Sequence, residues 1–446
     1  MENPVLSGCS VLIIGAGPAG LFAARELAVR GIQVAVLNRD IKPGGLAEYG
    51  IFPDKYKMKD GLRCQFKQVL ANELVQYYGN VQVSQQGDLK LEQLREMGFN
   101  AILIAAGAQG TKRLGIPGED LRGVYHAKDL VYHYNHLPPF SQMHFEIGQR
   151  IGVVGVGNVM ADIAHYLIGY LHAQEVIAIA RRGPGEIKFD RKEIEPIAAN
   201  VDVQVLDEEI ERAAPLMEAI GQDPQKTKAF LHAAIEKAQP CCSSTHFMLR
   251  FLLSPIRILG DENGRVCGVE LEENTLVKVN GEVKARGTGR KVTMDLDTII
   301  FAIGDAVDPQ LGLPVSGGEY AKNPNPRFPV EGISYELYDP QSDKPLEGLF
   351  VAGWARQAST GLVGITRRDG CNAAHAILQY LQTAQPAGSL PMEKLRHVLG
   401  RLKKPVITKD DLEKLEQVER QRAEELSLLE FKFDTNEEML AAIGKA

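Results

Sequence analysis

The chain of 446 residues is long enough for two or three domains, and its 44% apolar and 24% charged residues are ordinary globular usage. A net charge of -7, from 50 Lys and Arg against 57 Asp and Glu, excludes an electrostatic grip on nucleic acid or anionic lipid. Apolar runs such as Val11–Ala16 and Ile299–Ala302 are strand-sized and exclude a helical membrane span of roughly 18 residues or more, while 44 glycines predict tight turns beside ligands.

The run Val11-Leu-Ile-Ile-Gly-Ala-Gly-Pro-Ala-Gly20 predicts a buried strand opening into Gly-x-Gly-x-x-Gly, then a helix over Leu21–Arg30 and a strand over Gln33–Leu37. It starts near Ser10, too early for a signal or transit peptide, so the expected location is the cytoplasm. Asn100–Ala108 reads as another buried strand ending in glycine, and Gly115-Ile-Pro-Gly118 as turn chemistry at a domain connection. After a polar loop at Pro138–Gly148, Arg150–Val159 repeats the strand and glycine turn, followed by a helix over Met160–Leu171 and a strand over Glu175–Ala180. Residues 207–238, rich in Glu, Ala, Lys and Leu, predict peripheral helices. Val266–Leu271, Thr275–Val279 and Lys291–Met294 predict a meander, closed by a buried strand over Asp297–Gly304 where the chain returns to the first domain. Gly348–Gly353 is one more strand and Gly370–Gln382 a helix. Beyond a linker at Thr383–Leu390, residues 391–446 alternate charged and apolar side chains at helical spacing and read as an appended tail.

Glycines at a helix N-terminus let a pyrophosphate approach free N–H groups and the positive dipole end, so Gly15, Gly17 and Gly20 predict a dinucleotide cradle. The following strand normally ends in an acid that accepts from the ribose hydroxyls. Here it ends in Asn38, with Asp40 two residues on, and an amide holds a hydroxyl without charge assistance. The second turn, Gly155-Val156-Gly157-Asn158-Val159-Met160, lacks the third glycine, so its helix is expected slightly farther from its strand. Arg181-Arg182-Gly183 follows the next strand, where an NAD-selective site carries an acid. Two guanidiniums there predict a bidentate clamp on a 2′-phosphate and NADP over NAD. The two sites point to different ligands: a permanently held dinucleotide, naturally FAD because it shares the ADP half, and a diffusing NADPH. Six cysteines form no C-x-x-C pair and no cluster spacing, and the vicinal Cys241-Cys242 reads as an inert loop pair. No nucleophile–His–acid arrangement or metal-ligand spacing is evident, so no catalytic side chain or metal is expected. His133 and His136 read as exposed loop histidines.

Further motifs run through nearly the whole chain: Gly44-Gly-Leu-Ala-Glu-Tyr-Gly-Ile-Phe-Pro-Asp54, Gly79–Val83, Ile116-Pro-Gly-Glu119, Gly155–Asp162, Arg181–Pro184, Leu249–Pro255, Gly353–Val363, Thr408–Leu415 and Glu438–Leu440. With these the chain resembles the adrenodoxin reductase family of ferredoxin–NADP reductases. The resemblance implies an α/β fold of two Rossmann-like dinucleotide-binding domains, the NADP domain inserted in the FAD domain. The expected divisions are 1–112 and 311–385 for FAD, 113–310 for NADP, and 386–446 as a helical C-terminal extension. It implies that FAD is held by Ala19, Asn38 (glutamate in the family), Leu46, Val83, Trp354 and the backbone run Gly361-Leu362-Val363. NADP would contact Val156, Gly157, Asn158, Val159, Arg181, Arg182 and Glu193, with Gly361 near the nicotinamide. Trp354 stands where many relatives of the wider fold place an aspartate. The implied activity is hydride transfer from NADPH to FAD and single-electron delivery to a ferredoxin-type iron–sulfur protein. Where family members present arginines to that partner, this chain reads Arg191-Lys192-Glu193-Ile194-Glu195-Pro196. Two other readings are an electron-input subunit like the glutamate synthase small subunit, against which the absence of an N-terminal cysteine-rich cluster domain argues, and a non-catalytic FAD/NADP redox sensor.

Overall fold

Strand β1 (Ser10–Ile14) is buried at every position, as an unbroken apolar run requires of a strand covered on both faces. The computed structural model describes residues 8–241, 243–358, 363–383 and 390–446. They fall into two compact units. One comprises the chain up to Lys112, Tyr132–Gln142 and everything from Gly304 onward; the other comprises Arg113–Val131 and Met143–Ile303. The second is thus inserted in the first, ending at Ile303 rather than 310, and Tyr132–Gln142 belongs to the first unit rather than the insert.

In the first unit β1 leads to α1 (Pro18–Ala28), β2 (Gln33–Leu37), the short α2 (Leu46–Tyr49), α3 (Tyr56–Leu70), β3 (Val75–Tyr78), α4 (Leu91–Glu96), β4 (Ala101–Ile104) and β5 (Gly110–Thr111). The sequence reading omits α3 and β3, and it starts α1 too late because Pro18 at the first helical position is itself a helix start.

The second unit contains β6 (Val124–His126), most of α5 (Ala127–Tyr134), β7 (Arg150–Val154), α6 (Asn158–Gly169), β8 (Glu175–Ile179), α7 (Arg191–Ile194), α8 (Val203–Ala219) and α9 (Pro224–Ile235). Then come β9 (His246–Arg250), β10 (Leu253–Gly260), β11 (Val266–Val279), β12 (Glu282–Met294) and β13 (Thr298–Phe301). Five parallel strands lie in the order β6-β13-β7-β8-β9, and Val269, Leu271 and Ile258 of the antiparallel β10-β11-β12 sheet share a core with Ile177, Ile179, Ile299 and Phe301. The expected meander is present as β10-β11-β12, but its first two expected strands are one, β11, in a long hairpin with β12. The polar Asn274 that divides two apolar runs in the sequence sits inside β11 at a register shift, buried, donating to Arg181 O at 2.9 Å and Ser254 Oγ at 2.8 Å.

Back in the first unit, β14 (Asp305–Ala306) pairs with β5, and β15 (Val315–Ser316) with β16 (Glu319–Tyr320). Strands β17 (Glu336–Asp339) and β18 (Lys344–Val351) complete a sheet ordered β17-β18-β4-β1-β2-β3, parallel except for β17. Helices α10 (Val363–Leu381), α11 (Pro391–Leu399), α12 (Lys409–Glu425) and α13 (Asn436–Ala442) follow. Strand alternation sorts the core. Val11, Ile13, Val34, Val36 and Leu103 face α1, α3 and α10 through Phe22, Phe66 and Ile377. Leu12, Ile14, Ala35, Leu37 and Ile102 face the other way, against Leu94 and the tail's Met392, Leu395 and Leu399. The tail is therefore part of this unit's core. Among the described residues no helix is long and apolar enough to cross a membrane.

Candidate functional site

Each unit carries a glycine turn at the carboxyl end of a central strand flanked by strands on both sides, the place where open α/β sheets bind ligands. In the first unit Gly15 has φ +108°, and a Cβ there would lie 2.4 Å from Ala105 O. At Gly20 a Cβ would lie 2.0 Å from Gly15 O, so this glycine lets α1 pack against the turn. Gly17 differs: a Cβ would meet nothing within 4 Å. It caps α1, whose first turn has no side-chain cap and no acid. Open space before an unneutralised helix N-terminus suits a pyrophosphate, so the cradle fits the ADP half of FAD.

Asn38 is buried and spent on the protein. Its Oδ1 accepts from Ala16 N at 3.0 Å, and its Nδ2 donates to Asp40 O at 2.9 Å and Lys42 O at 3.0 Å. It ties the glycine turn to the loop after β2 rather than presenting a free amide to a ribose. Gly44 N donates to Ala16 O at 2.7 Å, and a Cβ on Gly45, at φ +51°, would lie 3.1 Å from Gly17 Cα. This Gly-Gly turn is a wall of the cradle that reading for a single motif passes over, although paired glycines after a strand are its signal. Leu46 opens α2 and packs with Tyr49, Tyr132 and Leu137. Ala19 is buried, and Val83, half-buried, bridges to Leu89.

Trp354 lies half-buried in a 3₁₀ turn, Gly353–Ala355, just after β18. Asp369 of α10 holds that turn, accepting from Gly353 N at 2.6 Å, Arg356 Nη2 at 2.6 Å and Tyr335 Oη at 3.1 Å. Burial, then the Asp369 charge, pushes the Tyr335 phenol up to about 12. Nothing in the sequence pattern links Asp369 to the turn. A Cβ on Gly353 would lie 2.8 Å from Ala19 Cβ, and one on Gly370 would lie 2.2 Å from Ala19 O, so this turn and α10 close on the start of α1. Val363 begins α10; Gly361 and Leu362 lie outside the described residues.

The second unit repeats the cradle. Gly155 has φ +134° and a Cβ there would lie 2.4 Å from Ala302 O, while Gly157 caps α6 with open space around it and no acid in the first turn. Val156 O accepts from Lys188 N at 2.9 Å, and Val159 is 40% exposed. Asn158 is engaged with Asp190, its Nδ2 donating at 3.0 Å and its Oδ1 accepting from Asp190 N at 2.7 Å. Asp190 precedes α7, which carries Glu193. Arg181 is exposed and makes no ion pair among the described residues. Arg182 is half-buried and its Nη1 donates to Glu186 Oε2 at 3.2 Å. The two guanidiniums are unequal.

The remaining candidates separate from these cradles. Cys9, Cys64, Cys241, Cys267 and Cys371 are free thiols, and Cys242 lies outside the described residues. His133 Nδ1 lies 3.1 Å from Phe140 O, and His136 pairs with Asp434 at 2.7 Å.

A chain with two such cradles, one in each unit, is a two-dinucleotide binding protein. Residues 9–231 match the family described as pyridine nucleotide-disulphide oxidoreductase, and the chain belongs to that family. It is 28% identical to the mitochondrial NADPH:adrenodoxin oxidoreductase of Salvelinus fontinalis, over 84% of this chain and 78% of that protein. It is also 28% identical to the NADPH-ferredoxin reductase FprA of Mycobacterium leprae, over 93% of this chain and 94% of that one. A solved structure of Mycobacterium tuberculosis FprA in complex with NADPH superposes with a TM-score of 0.80 at 26% identity, covering 98% of this chain and 99% of that one.

Proposed function

We infer that this chain is an NADPH-dependent flavoprotein reductase of the adrenodoxin reductase type that delivers electrons to a ferredoxin-type iron–sulfur protein. The observation that carries it is the doubled cradle: two open helix N-termini in one chain, the second with Arg181 free beside it. FAD held in the first unit would supply the chemistry that converts a two-electron hydride donor, NADPH, into single-electron delivery. The chain's own residues position and exclude. Gly15, Gly17, Ala19, Gly20, Leu46, Val83, Trp354 and Val363 line the FAD site, with Asn38 fixing the turn from behind. Val156, Gly157, Asn158, Val159 and Glu193 line the NADP site, and Arg181 holds the 2′-phosphate while Arg182 backs it. The first unit, with the chain up to Lys112, Tyr132–Gln142 and the chain from Gly304 onward, is the FAD domain, and the inserted unit, Arg113–Val131 and Met143–Ile303, is the NADP domain. No side chain supplies or removes a proton at the hydride step, so the rate rests on placement. Free thiols fit a reducing compartment, the cytoplasm.

Heat-released flavin from the purified protein, together with NADPH-driven reduction of a ferredoxin, tests this reading. FAD and turnover support it. FMN or no flavin would overturn it, and bound FAD without turnover on ferredoxin or ferricyanide would favour the redox sensor.

A further inference from the structure

Two chains of contacts run from the C-terminal segment to Ala16, the residue between Gly15 and Gly17. Along the first, Glu419 Oε2 on α12 accepts from Lys42 Nζ at 2.6 Å, Lys42 O accepts from Asn38 Nδ2 at 3.0 Å, and Asn38 Oδ1 accepts from Ala16 N at 3.0 Å. Along the second, Lys432 Nζ, between α12 and α13, donates to Glu48 O at 2.9 Å and lies 3.0 Å from Glu48 Oε1. Glu48 sits on α2 behind the Gly44-Gly45 turn, and Gly44 N donates to Ala16 O at 2.7 Å. Both polar groups of the Ala16 backbone are thereby set from the tail.

The Glu48 carboxylate is buried among Lys432, Lys42 and Arg63. Burial raises its pKa, but these cations outweigh that and hold it well below the usual carboxylate range. A third strand of contact joins Gly79 to Ile407, through Gly79 N to Ile407 O at 2.8 Å and Ile407 N to Gly79 O at 3.1 Å, and Asn80 Nδ2 donates to Pro405 O at 2.9 Å. Ile41, in the loop after β2, is buried in a small core whose other buried members, Ile407, Leu415, Phe433, Met439 and Ile443, all come from the tail.

We propose that Lys432 and Glu419 are positioning residues for FAD: through Glu48 and Lys42 they hold the Gly44-Gly45 turn and Asn38 against Ala16, and so fix the phosphate-binding turn. The proposal rests on the first unit being the FAD site. Removing Lys432 leaves Glu48 with Lys42 and Arg63 but takes away the cation that ties α2, carbonyl and carboxylate both, to the tail, so the loops shift before the sheet does.

The test uses the full chain, stripped of flavin and titrated with FAD by flavin fluorescence. K432M is expected to remain folded by circular dichroism, to raise the FAD dissociation constant at least tenfold and to release FAD faster, with affinity for 2′,5′-ADP unchanged. K432R, which keeps the cation, is expected to restore tight binding. K67A removes an exposed ion pair between α3 and α12, Lys67 with Glu416, and is expected to leave FAD affinity as it was. Wild-type affinity in folded K432M, or equal loosening by K67A, would overturn the clamp alone. If K432M does not fold, E419Q is read by the same titration and the same outcomes. A wild-type chain that takes up no FAD would overturn the reading of the first unit and the clamp with it.

Discussion

Arg182 is tied to Glu186 four residues on, at 3.2 Å, and Glu186 also accepts from Gln222 Nε2 at 2.6 Å. Arg181, its neighbour, is left to face solvent. The guanidinium available to a phosphate is therefore the first of the pair, and the second is braced.

Replacing Arg181 with Ala is expected to raise KM for NADPH by about 10- to 100-fold, the loss of a charge-assisted contact of about 1.5–3 kcal/mol, and to leave KM for NADH nearly unchanged. R182A should do less to NADPH selectivity and more to thermal stability, because it frees Glu186. Steady-state kinetics with both nucleotides decides between them. Equal effects of R181A on NADPH and NADH would show that Arg181 does not read the phosphate.

The glycines of the first turn do different jobs. At Gly17, with φ -75° and empty space where a Cβ would go, alanine should leave the unfolding midpoint of the flavin-free chain within about 0.5 kcal/mol while FAD affinity collapses. At Gly20 a Cβ would sit 2.0 Å from Gly15 O, so G20A should lose both, with a stability cost of about 1–3 kcal/mol. Denaturant melts with and without FAD separate the two. Intact FAD binding in G17A would place the cofactor elsewhere.

Asn38 both accepts and donates, which aspartate cannot do. N38D leaves Asp40 O and Lys42 O facing a carboxylate, and the expected loss is about 1–3 kcal/mol in the flavin-free chain. Differential scanning calorimetry of N38D measures it. An unchanged melting temperature would mean that the amide's two donated bonds do not hold the loop.

Lys59 donates to Asn135 Oδ1 at 2.9 Å and is 1% exposed. Burial first, then repulsion from Lys432, lowers its pKa from 10.5 to about 8, against the pull of Glu430 and Glu48. Below about pH 8 both folded and unfolded chains carry its proton. Between there and 10.5 the unfolded chain keeps the proton and the folded one gives it up, so this group's contribution to stability rises with pH. Relative to K59M, the wild type should gain about 3 kcal/mol across that window in denaturant titrations. A flat difference would show that Lys59 is well solvated.

Both glycine turns were legible because their chemistry is local: a strand, a positive φ and a helix start lie within six residues of Gly15 and of Gly155. The Arg182–Glu186 tie was equally legible from its spacing and passes unnoticed only when the pair is read as a unit. Other features were not. Asn38 looks like a weakened ribose ligand because its true acceptors are backbone oxygens, which carry no sequence signature. Asn274 reads as a break between strands, although burial with two acceptors lets a polar residue stay inside one. The charged, helical spacing of 409–425 describes a solvated helix equally well, and only the folded chain shows Glu419 and Lys432 turned inward onto Lys42 and Glu48.

Glu48 and Lys432 stand 384 residues apart. During translation the first βαβ emerges long before the residues that brace it, so a ribosome-bound chain halted ahead of Pro405 has its nucleotide turn without Ile407, Glu419 or Lys432. Flavin loading is then a late event in biosynthesis, and nascent chains stalled at successive lengths should retain flavin only once this distal stretch has cleared the exit tunnel.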